Sequence, residues 1–237
     1  MNMYTRLSAF GTAQKFVKER FPDCDAALLA GSVTRGEATV TSDLDIVIFD
    51  KDIPSAYRES LIEYGWPIEV FVHNLQSYKL FFESDVKRAR PSLPRMVAEG
   101  IVIKKSDFLP EIIGEAKRII ESGPEIWTKK EIEFKRYFIT DTLDDFIGSN
   151  NEAEELFIAG TLAEQLQEFV LRTNKRWVGK SKWVVRELNH YDPVFSRKFV
   201  EAFSQYYRTG NKKMVVEMAE LVLEPFGGRL FDGFSVK

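Results

Sequence analysis

The chain has 237 residues, with 33 lysines and arginines against 36 aspartates and glutamates, and 44% of its residues are hydrophobic. This composition is that of a folded globular protein with a core of its own, and it excludes a disordered chain. The formal net charge of -3 argues against a protein whose main role is to neutralise long stretches of nucleic-acid backbone.

The single cysteine, Cys24, cannot form an intrachain disulfide, and no histidine or cysteine cluster has zinc-ligand spacing. We therefore expect a cytoplasmic protein in which Cys24 is a buried core residue. Residues 1–12 lack the apolar segment of a signal peptide, and no apolar run approaches the roughly 18 residues that a membrane span needs. The sequence predicts neither export nor a membrane anchor.

The first hundred residues alternate helical and strand-like patterns. Leu7, Phe10, Ala13 and Val17 recur at spacings of three and four, which predicts a first helix that ends near Pro22. Short β-rich runs predict strands at 26–30, 44–49, 68–72 and, more weakly, 101–103. Helical composition predicts helices at 55–64 and 75–90. This half is expected to be an α/β unit, with a small mixed sheet flanked by helices.

Beyond Lys104 the pattern changes to successive helices separated by glycine and proline. Apolar residues form one stripe in 151–173 and another after Pro193. Their members are Leu156, Ala163, Leu166 and Val170, then Phe195, Phe199, Phe203 and Tyr206. Such stripes indicate the core of a C-terminal helical bundle. The expected fold class is α+β, with an N-terminal domain of residues 1–108 and a helical domain of residues 109–237.

The residues with chemical meaning begin at the end of the first predicted strand. Gly31-Ser32 offers a backbone that a ligand can approach closely and a hydroxyl beside free N–H groups, which suits phosphate oxygens. Asp43 and Asp45 begin the next strand, and the two-residue period puts both carboxylates on one face. The Gly-Ser pair is also compatible with a plain turn, and the acids with a solvated strand end.

Glu69 lies in a later predicted strand, opposite the apolar face formed by Ile68, Val70 and Val72. A third carboxylate can therefore join Asp43 and Asp45 across neighbouring strands. Carboxylate oxygens are the ligands that Mg²⁺ prefers. An isolated strand glutamate is usually exposed and inert, but three acids downstream of a phosphate-suited turn favour a metal site.

Together these residues resemble the DNA polymerase β-like nucleotidyltransferase superfamily, whose signature is Gly-Ser, then Asp-x-Asp, then an acid on a later strand. Gly31-Ser32 matches the first element, Ser42-Asp43-Leu44-Asp45 the second and Glu69 the third. Arg35-Gly36 matches a basic-Gly pair of the small members. The motif covers residues 28–72, and the helical C-terminal half is similar to the aminoglycoside nucleotidyltransferases.

The resemblance implies two Mg²⁺ ions that hold a nucleoside triphosphate in line with an acceptor hydroxyl. Asp43 and Asp45 would bridge both ions, and Glu69 would bind the ion beside the acceptor. The implied nucleotide-binding residues are Gly31, Ser32, Arg35 and Ser42. The implied activity is transfer of a nucleoside monophosphate, first of all AMP, to a hydroxyl of an aminoglycoside-like molecule, which is a route to antibiotic resistance.

The acceptor would be chosen by the helical half. Asp141, Asp144 and Asp145 lie in the last turns of a helix predicted at 131–147, where they repel one another and oppose the helix dipole. Asp141 and Asp145 are therefore candidates for binding a cationic acceptor such as an amino sugar. A solvated helix end is the simpler alternative.

Six basic residues fall between positions 172 and 186. They are Arg172, Lys175, Arg176, Lys180, Lys182 and Arg186, interleaved with Trp177 and Trp183. The resemblance implies that Lys180 or Lys182 contacts the triphosphate. A solvated loop and an RNA-binding patch are the alternatives, although one short patch on an acidic protein is small for nucleic acid.

Other functions use the same residues. A protein adenylyltransferase of antitoxin type would need the same carboxylates, and so would a non-catalytic nucleotide-binding module that keeps the fold. A homodimer could complete one active site from two chains. Neither histidine, His73 nor His190, is assigned a role.

Overall fold

The computed structural model describes residues 8–236. It divides into two compact units, the first ending at Ser122 and the second beginning at Gly123. Leu7, the first member of the predicted apolar stripe, lies outside the described residues.

The first unit combines a sheet with flanking helices. Its strands are β1 (Ala26–Ala30), β2 (Leu44–Phe49), β3 (Tyr57–Glu63), β4 (Trp66–His73) and β5 (Ile101–Lys104). Its helices are α1 (Ala9–Arg20), α2 (Ser77–Lys87), α3 (Ser92–Glu99) and α4 (Leu109–Ser122), and a 3₁₀ turn (Ser32–Arg35) follows β1.

The sheet is mixed, as the sequence predicts. Within the described residues its strands are ordered β3-β4-β2-β1-β5. β2 and β4 run parallel, whereas the other neighbouring pairs are antiparallel. Parallel pairing sets Asp45 directly beside Glu69.

Each face of the sheet packs on a different set of helices. On one face Ile46, Ile48 and Val70 form a buried cluster with Phe16 and Val17 of α1. On the other face, Leu28, Val47 and Phe49 of the central strands pack on α2, α3 and α4. The helices contribute Phe82, Leu93, Val97 and Ile112 to this second cluster. Cys24 is 2% exposed, so its predicted burial is confirmed.

The helix predicted at 55–64 is wrong, because Tyr57–Glu63 forms β3 at the edge of the sheet. β3 pairs with β4 through a tight turn at Tyr64 and Gly65, whose φ angles are 52° and 75°. Positive φ at both central residues is typical of a two-residue hairpin turn. The pairing with β4 therefore overrides a helical composition.

The first compact unit ends 14 residues after the predicted boundary at 108, because α4 packs within it. Leu109, Ile112 and Ala116 of α4 are buried against the sheet face that α2 and α3 also cover. A further helix, α3, was not predicted. Its Pro94 lies in the first turn, where backbone N–H groups have no partner within the helix, so the N–H that proline lacks is not needed.

The second unit is helical, as predicted. Its helices are α5 (Lys129–Gly148), α6 (Glu152–Thr173), α7 (Trp183–Tyr191), α8 (Pro193–Thr209) and α9 (Lys213–Leu223), followed by a 3₁₀ turn (Glu224–Phe226). Thr128 and Glu131 form a capping box at the start of α5. Helices in the described part of the chain contain no segment long and apolar enough to cross a membrane.

Two apolar stripes predicted this bundle. In α8, Phe199, Phe203 and Tyr206 are buried. In α6, Leu166 is buried but Leu156 is 53% exposed, so Leu156 was wrongly placed in the core. The buried face of α6 contains Ala159 and Leu162 instead.

Candidate active site

Three carboxylates converge at one end of the parallel strand pair. Asp43 immediately precedes β2, Asp45 is the second residue of β2 and Glu69 lies in β4. One oxygen from each of the three lies within 4.8 Å of the others. The three acids that the sequence singles out therefore form one cluster.

The pattern of β2 explains why these side chains point away from the α1 core. Leu44 and Ile46 are fully buried against α1, so the alternating residue Asp45 emerges on the opposite face. Further along that face Val47 and Phe49 are buried. Asp45 comes earlier in the strand and is only half-buried.

The carboxylate cluster is electrostatically unfavourable without a counter-charge. Burial, followed by the negative charges of Asp43 and Glu69, raises the pKa of Asp45 to about 6, and Arg58 and Arg35 oppose that rise. Converging carboxylate oxygens suit a hard divalent cation. The donor set therefore fits magnesium.

Gly31 follows the last residue of β1 and lies directly against the Asp45 side chain. A Cβ at this position would lie 2.0 Å from Asp45 Oδ2, and the backbone adopts φ 82° and ψ -160°. This region is essentially restricted to glycine. The sequence predicts close approach of a ligand at Gly31, and the structure shows that the group approaching is the Asp45 carboxylate.

The Gly-Ser turn is tied to the segment before β2 by hydroxyl groups. The Ser32 hydroxyl donates to Ser42 Oγ at 3.2 Å, and the Thr39 N–H donates to the same oxygen at 2.8 Å. Thr34 Oγ1 donates to the Gly31 carbonyl at 2.9 Å. Ser32 and Ser42 thus meet, with Ser42 next in sequence to Asp43.

Arg35 is held by two glutamates. Its Nε lies 3.1 Å from Glu37 Oε2 and its Nη1 lies 3.2 Å from Glu99 Oε2. Its charge still lowers the pKa of Asp45. Arg35 therefore adds positive potential to the cluster while anchored to α3.

Sequence reasoning missed Arg58. Arg58 Nη2 lies 2.6 Å from Glu69 Oε2, which makes this arginine part of the cluster. Arg58 belongs to the segment predicted as a helix, so nothing placed it beside Glu69. A hairpin turn at Tyr64-Gly65 was the sequence signal that would have predicted the pairing of β3 with β4.

The remaining predicted residues belong to the second unit. Asp141 and Asp145 are exposed on α5, whereas Asp144 Oδ1 lies 2.7 Å from Arg229 Nη1. Lys180 and Lys182 are exposed just before α7.

Part of the basic stretch is structural. Arg172 is 9% exposed, donates to the Glu125 carbonyl at 2.9 Å and stacks over Trp127 at 5.0 Å. Trp177 is buried as well. Lys180 and Lys182 are exposed, as are Lys175 and Arg176, so these four cations of the stretch are accessible to a ligand.

A family model described as "Nucleotidyltransferase domain" matches residues 12–148. The match covers more than half of the chain, contains the whole carboxylate cluster and extends through α5. This chain belongs to the nucleotidyltransferase domain family. The resemblance to the polymerase β-like superfamily is confirmed, and the protein is a nucleotidyltransferase whose substrate is a nucleoside triphosphate.

One solved structure similar to this nucleotidyltransferase is a nucleotidyltransferase-like protein from Exiguobacterium sibiricum 255-15. It has 11% sequence identity and a TM-score of 0.49, with 90% of this chain and 74% of that chain covered. No curated protein matches the sequence significantly.

Proposed function

We propose that this nucleotidyltransferase transfers a nucleoside monophosphate, first of all AMP, to a hydroxyl of a small cationic acceptor of the aminoglycoside type. The observation that carries the proposal is the convergence of Asp43, Asp45 and Glu69 within 4.8 Å. The Gly-Ser turn that adjoins Asp45 supports it.

Asp43, Asp45 and Glu69 would together hold two Mg²⁺ ions. Bound magnesium would neutralise triphosphate charge and make the acceptor hydroxyl more acidic. The hydroxyls of Ser32 and Ser42 and the backbone of Gly31 would orient the phosphates, because they adjoin the carboxylates and can donate to phosphate oxygens.

Residues of the second unit are the candidates for binding the acceptor. Asp141 and Asp145 are exposed anionic groups on one helix, which suits an ammonium-bearing sugar. Arg35 would supply positive charge for the triphosphate, and Lys180 and Lys182 are the second unit's candidates for the same role.

The test is a mass-spectrometric assay with Mg²⁺, each of the four nucleoside triphosphates and a panel of amino sugars. We expect a product heavier by one nucleoside monophosphate. Asp45→Asn and Asp43→Asn should abolish transfer, because each removes a cation ligand, while circular dichroism stays unchanged. Asp52→Asn, in the exposed turn after β2, is the matched control and should turn over normally.

Undiminished transfer in Asp45→Asn would refute the proposed site. Modified protein in a supplemented lysate, without a small-molecule product, would instead assign protein adenylylation. Magnesium-dependent nucleotide binding without any transfer would assign a non-catalytic module.

In the same assay Asp141→Asn and Asp145→Asn should raise the acceptor KM relative to Asp144→Asn, whereas equal values would identify a solvated helix end.

A further inference from the structure

Arg58 and Glu69 lie on neighbouring strands and share a face of the sheet. Arg58 of β3 is directly opposite Phe71 of β4, and Ser60 is directly opposite Glu69. A long side chain reaches the diagonal neighbour across an antiparallel pair. Arg58 therefore extends past the small Ser60 position to the carboxylate.

The contacts of Arg58 are those of an ion pair that can open. Arg58 Nη2 lies 2.6 Å from Glu69 Oε2, while the Arg58 side chain is 57% exposed. The guanidinium also lies 4.9 Å from the centre of the Phe71 ring. Releasing Glu69 leaves this group in contact with water and with an aromatic face, so release buries no unpaired charge.

The same contact competes with cation binding. A carboxylate oxygen that accepts a charge-assisted bond from a guanidinium is less available as a metal ligand. A fixed positive charge beside the cluster also repels a divalent cation. Arg35, the other nearby arginine, is paired with Glu37 and Glu99, whereas Arg58 forms its ion pair with Glu69, a member of the cluster itself.

We propose that Arg58 is the counter-ion of the cation-free cluster: it holds Glu69 until a divalent cation binds and thereby sets the affinity of the cluster for that cation. The inference rests on the proposed function, because it requires the three carboxylates to be a cation site. Arg58 acts through Glu69 and is a positioning residue.

The experiment is a titration of the full-length protein with Mn²⁺ in the absence of nucleotide. Electron paramagnetic resonance measures the concentration of free Mn²⁺ at each step. Arg58→Gln removes the charge and keeps the first part of the side chain with a polar end, so its Mn²⁺ affinity should be about tenfold tighter than that of the wild type. Arg58→Lys keeps the charge and should stay within about twofold of the wild type.

Two further variants define what is measured. Arg20→Gln removes another arginine that contacts β3, through Glu63 at 3.6 Å, and should leave Mn²⁺ affinity unchanged. Asp45→Asn should abolish the binding, which identifies the titrated site as the carboxylate cluster. Unfolding curves of all variants establish that each one is folded.

An unchanged affinity in Arg58→Gln would overturn the inference. A weaker affinity would overturn it as well, since Arg58 would then be orienting Glu69 for the cation. Wild-type protein with no Mn²⁺ site sensitive to Asp45→Asn would overturn the proposed function and, with it, the role of Arg58.

Discussion

Gly31 shows how a single missing side chain shapes the site. Alanine at position 31 would place a methyl group 2.0 Å from Asp45 Oδ2. It would also have to adopt a backbone conformation that residues other than glycine rarely adopt. We expect Gly31→Ala to lower the free energy of unfolding by at least about 2 kcal/mol. Because Asp45 must move, Mn²⁺ affinity should fall in parallel. Urea denaturation and the Mn²⁺ titration check both effects.

Gly36 is the matched control. It also has positive φ, at 71°, but an added Cβ would meet nothing within 4 Å. Gly36→Ala should cost only about 1–2 kcal/mol of backbone strain and leave cation binding intact. Equal losses of Mn²⁺ affinity in the two variants would contradict the close approach of Gly31 to Asp45.

At this scale the sequence predicted the clustered carboxylates but not the arginine beside them. Asp43, Asp45 and Glu69 were found because strand periodicity and the Gly-Ser motif are local signals. The partner of Glu69 depends on which strand lies beside β4, and that information is tertiary. The reason for glycine at position 31 was likewise only half predicted, since it involves a carboxylate fourteen residues away.

Among the elements, β3 is where local and tertiary preferences conflict. Its Arg58, Glu59, Leu61 and Glu63 are compatible with a helix, and the strand is mostly exposed at the sheet edge. β4 provides the hydrogen-bonding partner that decides the outcome. β2 and β4, by contrast, were predicted correctly because each has a buried apolar face of its own.

The end of β4 carries an acid-sensitive group. His73 is 3% exposed, and its Nδ1 has no hydrogen-bond partner among the described residues. Burial lowers the pKa of His73 to about 4, from its ordinary value of 6.5. The unfolded chain therefore binds this proton more readily, so stability is full above pH 6.5 and declines as the pH falls towards 4.

We expect this linkage to remove about 3 kcal/mol of unfolding free energy between pH 6.5 and pH 4. His73→Phe should flatten that part of the stability profile, as measured by urea denaturation at a series of pH values. His190 is the matched control, since its side chain is 68% exposed, and His190→Gln should keep the slope. A profile unchanged by His73→Phe would contradict the assignment.

For the whole molecule, the two units differ in how readily their limits can be predicted. The change from alternating elements to successive helices was visible in the sequence, and the helical half was predicted correctly. In the structure α4 packs on the sheet through Leu109 and Ile112. Which unit it packs on depends on the sheet face that it covers, and that information is tertiary.

The position of α4 predicts how the chain can be divided. A fragment of residues 1–122 should fold and bind Mn²⁺, because it contains the sheet, its helices and all three carboxylates. A fragment of residues 1–108 should be unfolded or aggregate, since loss of α4 uncovers part of the core that contains Phe49 and Val97. Thermal melts by circular dichroism and the Mn²⁺ titration distinguish them. Equal stability of the two would contradict the packing role of α4.

Parallel neighbours such as β2 and β4 cannot be joined by a tight turn, so Asp45 and Glu69 come together only once the crossover between them has closed. An unfolded chain thus has no preassembled cation site. A cation that binds only the folded protein shifts the folding equilibrium by mass action. The proposed cation site therefore predicts that the magnesium supply of a cell influences how much of this nucleotidyltransferase escapes proteolysis.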